Sequence, residues 1–195
     1  SAAAQLRRWL DAGYDPKLRV AINLSMAQFR QPGLSERVAA LLKRHRLAPR
    51  QLELELTESL TMHDPDMVKD EVRRLSDLGV RLALDDFGTG YSSLAHLRQL
   101  AVHTLKVDRS FVRDLHDSDA RRIVRAVLGI ARGLRLHTVA EGVETLEQLD
   151  LLREMGCDQA QGFLFSPALP AAEFDRLCRE RGWLRPAPIE PDYQI

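Results

Sequence analysis

Six short runs rich in Leu, Val and Ile, each ending in a polar cluster, alternate along the chain with longer segments of helical periodicity. The runs predict strands over 19–25, 51–57, 81–86, 104–109, 136–143 and, more briefly, 161–165. Between and around them the pattern predicts helices over 35–45, 65–78, 120–133 and 146–154, with an opening helix over 1–11 and a closing one over 171–181. Leu78-Gly79 and Met155-Gly156 read as helix ends closed by a glycine just before the next strand. Buried strands separated by helices imply a parallel sheet, either open and doubly wound or closed as a (β/α)8 barrel. Six strands are too few to close a barrel of eight. A doubly wound nucleotide fold would show a glycine-rich turn after its first strand, and Asn23-Leu24-Ser25-Met26 is not one.

Side chains alternate across a strand, so parity divides each run into two faces. Ala21, Asn23 and Ser25 oppose Val20, Ile22 and Leu24, while Glu53, Glu55 and Thr57 oppose Leu52, Leu54 and Leu56. Ala83 and Asp85 oppose Leu82 and Leu84; Lys106 and Asp108 oppose Leu105 and Val107. In a barrel the apolar faces would meet the outer helices and the polar faces would line the lumen, whose carboxyl-terminal mouth is where such barrels place chemistry. Asn23, Glu55, Asp85, Lys106, Asp108 and Glu141 all fall toward the ends of strands. Glu58, Asp86 and Glu144 fall just past them, on loops at the same mouth.

These positions set seven carboxylates against one lysine. Two like charges 4 Å apart repel by roughly 4 kcal/mol at an effective dielectric of 20, so a mouth this crowded requires protonation, solvent or cations. Hard carboxylate oxygens with one amide, and no His or Cys among them, suit Mg²⁺ or Mn²⁺. Taken singly, each residue has an ordinary reading: a solvated rim for Glu55 and Glu58, a turn signal for Asp85-Asp86, a polar strand cap for Asn23, a salt-bridge partner for Lys106. Delivery of a polar group to the same end by every strand is what scattered surface decoration would not produce. The loop Phe87-Gly88-Thr89-Gly90-Tyr91-Ser92-Ser93 follows the paired aspartates, and its glycines let backbone approach a ligand closely, although an ordinary βα loop could have this composition. His45, His63, His96, His103, His116 and His137 show no ligand spacing and read as incidental.

With 45% hydrophobic and 29% charged residues the chain can bury a core. Twenty-eight basic residues balance 28 acidic ones, which excludes any overall attraction to nucleic-acid polymers or anionic membranes; an anionic ligand must be held locally. Cys157 and Cys178 are too few for a disulfide framework, Cys178 reads as core, and no apolar run approaches 18 residues. A reduced, cytoplasmic setting without a membrane segment is the expectation. Residues 1–182 read as one domain and 183–195, with Pro186, Pro188 and Pro191, as an extended tail.

Six blocks carry a specific resemblance from about Leu6 to Phe174: Asn23-Leu24-Ser25, Glu55-Leu56-Thr57-Glu58-Ser59, Asp85 to Leu94, Leu105-Lys106-Val107-Asp108-Arg109-Ser110-Phe111, Ala140-Glu141-Gly142-Val143-Glu144-Thr145 and Gln161-Gly162-Phe163. In order and spacing the chain resembles the EAL-domain family of cyclic-di-GMP phosphodiesterases. The resemblance implies an α/β fold, a modified (β/α)8 TIM-like barrel with one antiparallel strand, which hydrolyses cyclic di-GMP to linear pGpG with two divalent ions, Mg²⁺ or Mn²⁺, activating the attacking water. It implies Asn23, Glu55, Asp85 and Glu141 as metal ligands, with Asp86 and Asp108 at the second metal and bridging water. Lys106 is similar to the lysine that orients or deprotonates that water. By the same resemblance Glu58 anchors the loop beginning at Asp85, and Glu144 and Gln161 support or contact substrate at the rim, as does Asp86. It further implies a homodimer and an upstream sensory or GGDEF-like domain.

The family begins with two strands, the second carrying Glu-Ala-Leu and then an arginine, and this motif does not occur in the 195 residues. The expectation is therefore a barrel lacking its first strands, as a fragment of a larger signalling protein. Two other readings stay open: an EAL-like domain that binds cyclic di-GMP or a protein partner without turnover, and another barrel metalloenzyme of the enolase kind. The Asp85–Leu94 block argues against the second of these.

Overall fold

The computed structural model describes residues 1–62, 65–88 and 94–182. Strands β1 (Val20–Asn23), β2 (Leu52–Thr57), β3 (Arg81–Phe87), β4 (Thr104–Val107), β5 (His137–Ala140) and β6 (Gln159–Ala160) form one sheet in sequential order. Every neighbouring pair is parallel, and the sheet curls into half of a TIM-like barrel. Helix α1 (Ala2–Asp11) precedes the sheet; parallel neighbours need crossovers, and these are built by helices α2 (Met26–Phe29), α3 (Leu34–His45), α4 (Glu58–Met62), α5 (Pro65–Asp77), α6 (Leu94–Gln99), α7 (Arg109–Arg113), α8 (Ser118–Gly133) and α9 (Leu146–Glu154), while α10 (Ala171–Glu180) follows the last strand. Thr89, Gly90, Tyr91, Ser92 and Ser93 of the expected loop, and the expected tail 183–195, lie outside the described residues.

Local chemistry sets the element boundaries. Ser25 caps α2 and Thr145 caps α9, each reciprocated by a glutamine three residues on, Gln28 and Gln148, in a capping box. Gly79 and Gly156, at φ 84° and 78°, follow the ends of α5 and α9 as the sequence leads one to expect, because the left-handed turn that closes a helix suits a residue without Cβ.

The alternation in the strands becomes the layering of the domain. Leu52, Leu54, Leu56, Leu82, Leu84, Leu105 and Val107 are buried, in one core with Val68, Val72 and Leu75 of α5 and Val124 and Leu128 of α8. Cys178 of α10 is buried as expected. The opposite face carries Glu53, Glu55, Asp85, Thr104 and Lys106 into the lumen. There Thr104 Oγ1 donates to Glu53 at 2.6 Å, and Arg19 pairs with the same carboxylate at 2.9 Å.

Three expectations are corrected. The sixth strand is not 161–165 but Gln159–Ala160, because the chain turns where Gly162 presses on Val143: a Cβ at 162 would lie 2.2 Å from the Val143 carbonyl oxygen. Asp108 and Glu141 lie one residue beyond β4 and β5, not on them. Glu58 opens α4 instead of lying on a loop, and this helix, like α2, α6 and α7, is too short for its periodicity to register in sequence.

Leu84, fully buried between sheet and helices, gives the packing test. Leu84→Ala should cost roughly 2–5 kcal/mol of unfolding free energy, read by urea denaturation. Leu146→Ala, at a position 66% exposed, should change stability by no more than about 0.5 kcal/mol.

Candidate active site

At the carboxyl ends of the strands the Lys106 ammonium is surrounded by three carboxylates from three other segments. Its Nζ lies 2.9 Å from Glu55 Oε1, 3.0 Å from Asp85 Oδ1 and 2.6 Å from Glu141 Oε1. An ammonium has three N–H donors, and here each has a carboxylate. The Lys106 side chain is only 5% exposed. Burial works to lower its pKa, but hydrogen bonds to Glu141 and Glu55 and the charges of Glu141 and Asp85 outweigh it, so the lysine is held protonated. Burial also pushes Glu141 up, against the pull of Lys106 and with the repulsion of Asp85 and Glu55.

Consecutive strand residues should face opposite ways, yet Asp85 and Asp86 both reach this site. Pairing between β3 and β4 slips between Leu84 and Phe87, where Leu84 faces Leu105 but Phe87 faces Val107. This bulge contains Asp86 at φ 56°. A bulge re-aims side chains, and aspartate tolerates the left-handed region better than most residues. As a result Asp85, Asp86 and Glu141 each offer a carboxylate oxygen within 4.8 Å of the other two. Burial raises the Asp86 pKa, and the charges of Asp85 and Asp108 raise it further. Asp86 is thus within the strand, as the expected run 81–86 had it, and at a bulge, not on a loop just past the strand end.

The remaining expected residues divide. Asp108 is not aligned on the strand with Lys106: it caps α7, accepting from Ser110 N at 2.9 Å. Burial works to raise its pKa, but hydrogen bonds from the Ser110 hydroxyl and backbone overcome this and hold it low. Gln161 Nε2 donates to Glu141 Oε1 at 2.7 Å, so the rim glutamine is tied to the centre of the cluster. Asn23 stands in register with Glu55 and is exposed. Exposed Glu144 joins Asp86 and Asp108 around a cavity of about 740 Å³. Glu58 is 3% exposed, and its Oε2 accepts from Gly88 N at 3.0 Å, which pins the start of the loop after β3.

Sequence reasoning missed three residues. Arg109 and Arg113 line the 740 Å³ cavity beside the acids. Phe163, 70% exposed, borders an adjoining space of about 420 Å³ with Glu141 and Gln161. Arg109 gave a faint signal in following Asp108 directly, and Arg113 lies one helical turn further on. Phe163 stood in the Gln161-Gly162-Phe163 block, but its residue type suggests burial and gave no hint of an exposed ring.

The donors fit a hard divalent cation. All are carboxylate oxygens or an amide, and Lys106 supplies one positive charge among Glu55, Asp85 and Glu141 with Asp86 and Asp108 nearby. Asp85, Asp86 and Glu141 are the group close enough to share an ion.

An EAL domain family model matches residues 1–168. The bifunctional diguanylate cyclase/cyclic di-GMP phosphodiesterase MucR of Pseudomonas aeruginosa is 46% identical over 173 residues, which cover 88% of this chain and 25% of MucR. A solved structure of the PaMucR phosphodiesterase in complex with c-di-GMP superposes with a TM-score of 0.84 at 45% identity, covering 89% of this chain and 70% of that one. Klebsiella pneumoniae BlrP1, solved as a manganese/cy-diGMP complex, gives 0.77 at 34% identity, covering 85% and 42%. The chain spans about a quarter of the length of the curated relatives it matches.

Two outcomes follow from the geometry. Lys106→Met should cost roughly 3–5 kcal/mol in chelator-treated protein, because it leaves buried carboxylates facing one another without their counter-charge; added Mg²⁺ or Mn²⁺ should restore part of the loss in thermal melts. Glu58→Ala leaves the Gly88 N–H without its acceptor and should cost about 1–3 kcal/mol. Its buried position means that stability falls together with any activity, read by denaturation and amide exchange at Gly88.

Proposed function

This chain belongs to the EAL domain family, and from that membership we propose that its domain hydrolyses cyclic di-GMP to linear pGpG with divalent cations, two Mg²⁺ or Mn²⁺ ions. The observation that carries the reading is the meeting of Glu55, Asp85, Asp86 and Glu141 around Lys106 at the end of the strands. A phosphodiester brings its own negative charge to a mouth already rich in carboxylates, and such a substrate is admitted only where cations offset both. Asp85, Asp86 and Glu141 would hold one ion, with Glu55 and Asn23 completing the oxygen donors and Asp108 serving a second. Bound there, divalent ions supply neutralisation of the nonbridging phosphate oxygens and a lowered pKa for the attacking water.

The chain's own residues do the positioning. Lys106 orients the carboxylates, and would orient the attacking water, through the three N–H donors of its ammonium. Glu58 fixes the loop behind Asp85 and Asp86 through Gly88. Gln161 holds Glu141 in place. Arg109 and Arg113 offer guanidinium groups to the second phosphate of the cyclic dinucleotide, and the exposed Phe163 offers a face for a guanine. Glu144 lies at the same rim. The proposed assembly is a homodimer in a longer signalling protein with a sensory or GGDEF-like region.

The test is chromatographic detection of pGpG from cyclic di-GMP. At saturating Mg²⁺ the expected result for Lys106→Met is a loss of about 10²-fold or more in kcat with dinucleotide affinity largely kept. Glu141→Ala should instead shift the metal titration and weaken affinity and rate together. Binding of cyclic di-GMP without linear product would make the domain a receptor.

A further inference from the structure

At the end of the half-barrel opposite the carboxylates, the amino ends of β3, β4 and β5 and the carboxyl end of α8 enclose a cavity of about 500 Å³. Three guanidinium side chains line it: Arg81, which opens β3; Arg132, in the last turn of α8; and Arg135, just past that helix. His103 and His137 stand between them, and Leu128 and Leu134 give an apolar wall. Both histidines had appeared incidental from their spacing.

The charge in this cavity is not internally balanced. Among the described lining residues Asp158 alone is acidic. Its Oδ2 accepts from Thr138 N at 2.8 Å and from Thr138 Oγ1 at 2.7 Å, and lies 3.5 Å from His137 Nδ1. Arg81 leans toward Glu53 at 3.8 Å, while its buried Nε lacks a hydrogen-bond partner. Arg132 and Arg135 form no direct ion pair among the described residues, although the charge of Arg132 helps to hold the Asp158 carboxyl low.

The helix dipole favours a cation at Arg132, but Arg135 lies beyond the helix at φ 58°, a left-handed backbone that arginine adopts at a cost. Arg132 lies close over Gly156, where a Cβ would come within 2.6 Å of Nη2, so the glycine makes room for the guanidinium. His103 Nδ1 accepts the Leu82 N–H at 3.2 Å, which fixes the proton on Nε2 and makes the ring a neutral donor.

We infer that this amino-terminal cavity is a second ligand site, separate from the catalytic mouth, for a small molecule bearing a phosphate group. Guanidinium forks match phosphate oxygens in pairs. Three guanidinium groups against one lining carboxylate leave a positive excess around one concavity, which concentrates anions there even on a chain of zero net charge. The volume falls within the range of small-molecule sites.

Inorganic pyrophosphate titrated calorimetrically into the chelator-treated protein at low salt tests this, because without divalent ions the carboxylate mouth repels the same probe. The expected result is saturable 1:1 binding, weakened at least tenfold in Arg132→Gln/Arg135→Gln and at least threefold in Arg135→Gln alone. Arg109→Gln/Arg113→Gln, beside the carboxylates, should bind within twofold of the parent. All four arginines are exposed, and unchanged melting would show that the variants remain folded. Absence of saturable binding, unchanged affinity in folded Arg135→Gln, or a loss that follows Arg109 and Arg113 instead would overturn the inference.

Discussion

Among the described residues Lys106 is the one cation through which β2, β3, β4 and the residue after β5 are electrostatically joined, and the shape of the mouth depends on it. Glu55, Asp85 and Glu141 arrive from separate elements of a parallel sheet, each close to the same point and each of the same sign. Without a shared counter-charge, their repulsion in a poorly hydrated lumen would force the strands apart or the acids to protonate. The ammonium satisfies all three at the cost of being locked in its own protonated state. The same three carboxylates that fix the ammonium are the oxygen donors of the mouth, so the lysine and any cation bound there share one set of partners.

A second constraint operates one strand away. A regular β3 would present Asp85 to the lumen and Asp86 to the helices, which would bury a charge among leucines. The extra residue in β3 and the left-handed φ at Asp86 avoid that cost and convert a neighbouring pair in sequence into a neighbouring pair in space. The hydrogen bond from Gly88 to buried Glu58 secures the far side of the bulge. Backbone irregularity, a capping helix and an ion cluster thus act on a few residues at once, and changing any of them alters the others' environment.

The two ends of the sheet are electrostatically opposite. Carboxylates collect where the strands finish, while Arg19, Arg81, Arg132 and Arg135 lie where they begin, with Glu53 and Thr104 hydrogen-bonded in the lumen between. A chain with equal numbers of acidic and basic residues gains local fields of both signs by this sorting, and so can address anions directly at one face and through cations at the other.

The sequence by itself determined the layers and most of the acids. Alternation at Leu52–Thr57 and Arg81–Asp85 is enough to say which side chains face helices and which face the lumen, because the two-residue period of a strand is fixed by covalent geometry. Glycines at 79 and 156 marked helix ends because few other residues adopt that turn. Only the tertiary structure decided that Asp86 joins Asp85, that Asp108 caps a helix, and that Gln161 leaves the strand to hold Glu141. The first depends on a register slip and the last on contact with a distant segment, to which local periodicity is blind, while the helix that Asp108 caps is five residues long, too short for its period to register. The basic cavity has the same origin: Arg81, Arg132 and Arg135 are unremarkable along the chain, and they become a site only because parallel strands and their crossover helices bring distant residues to one end of the sheet.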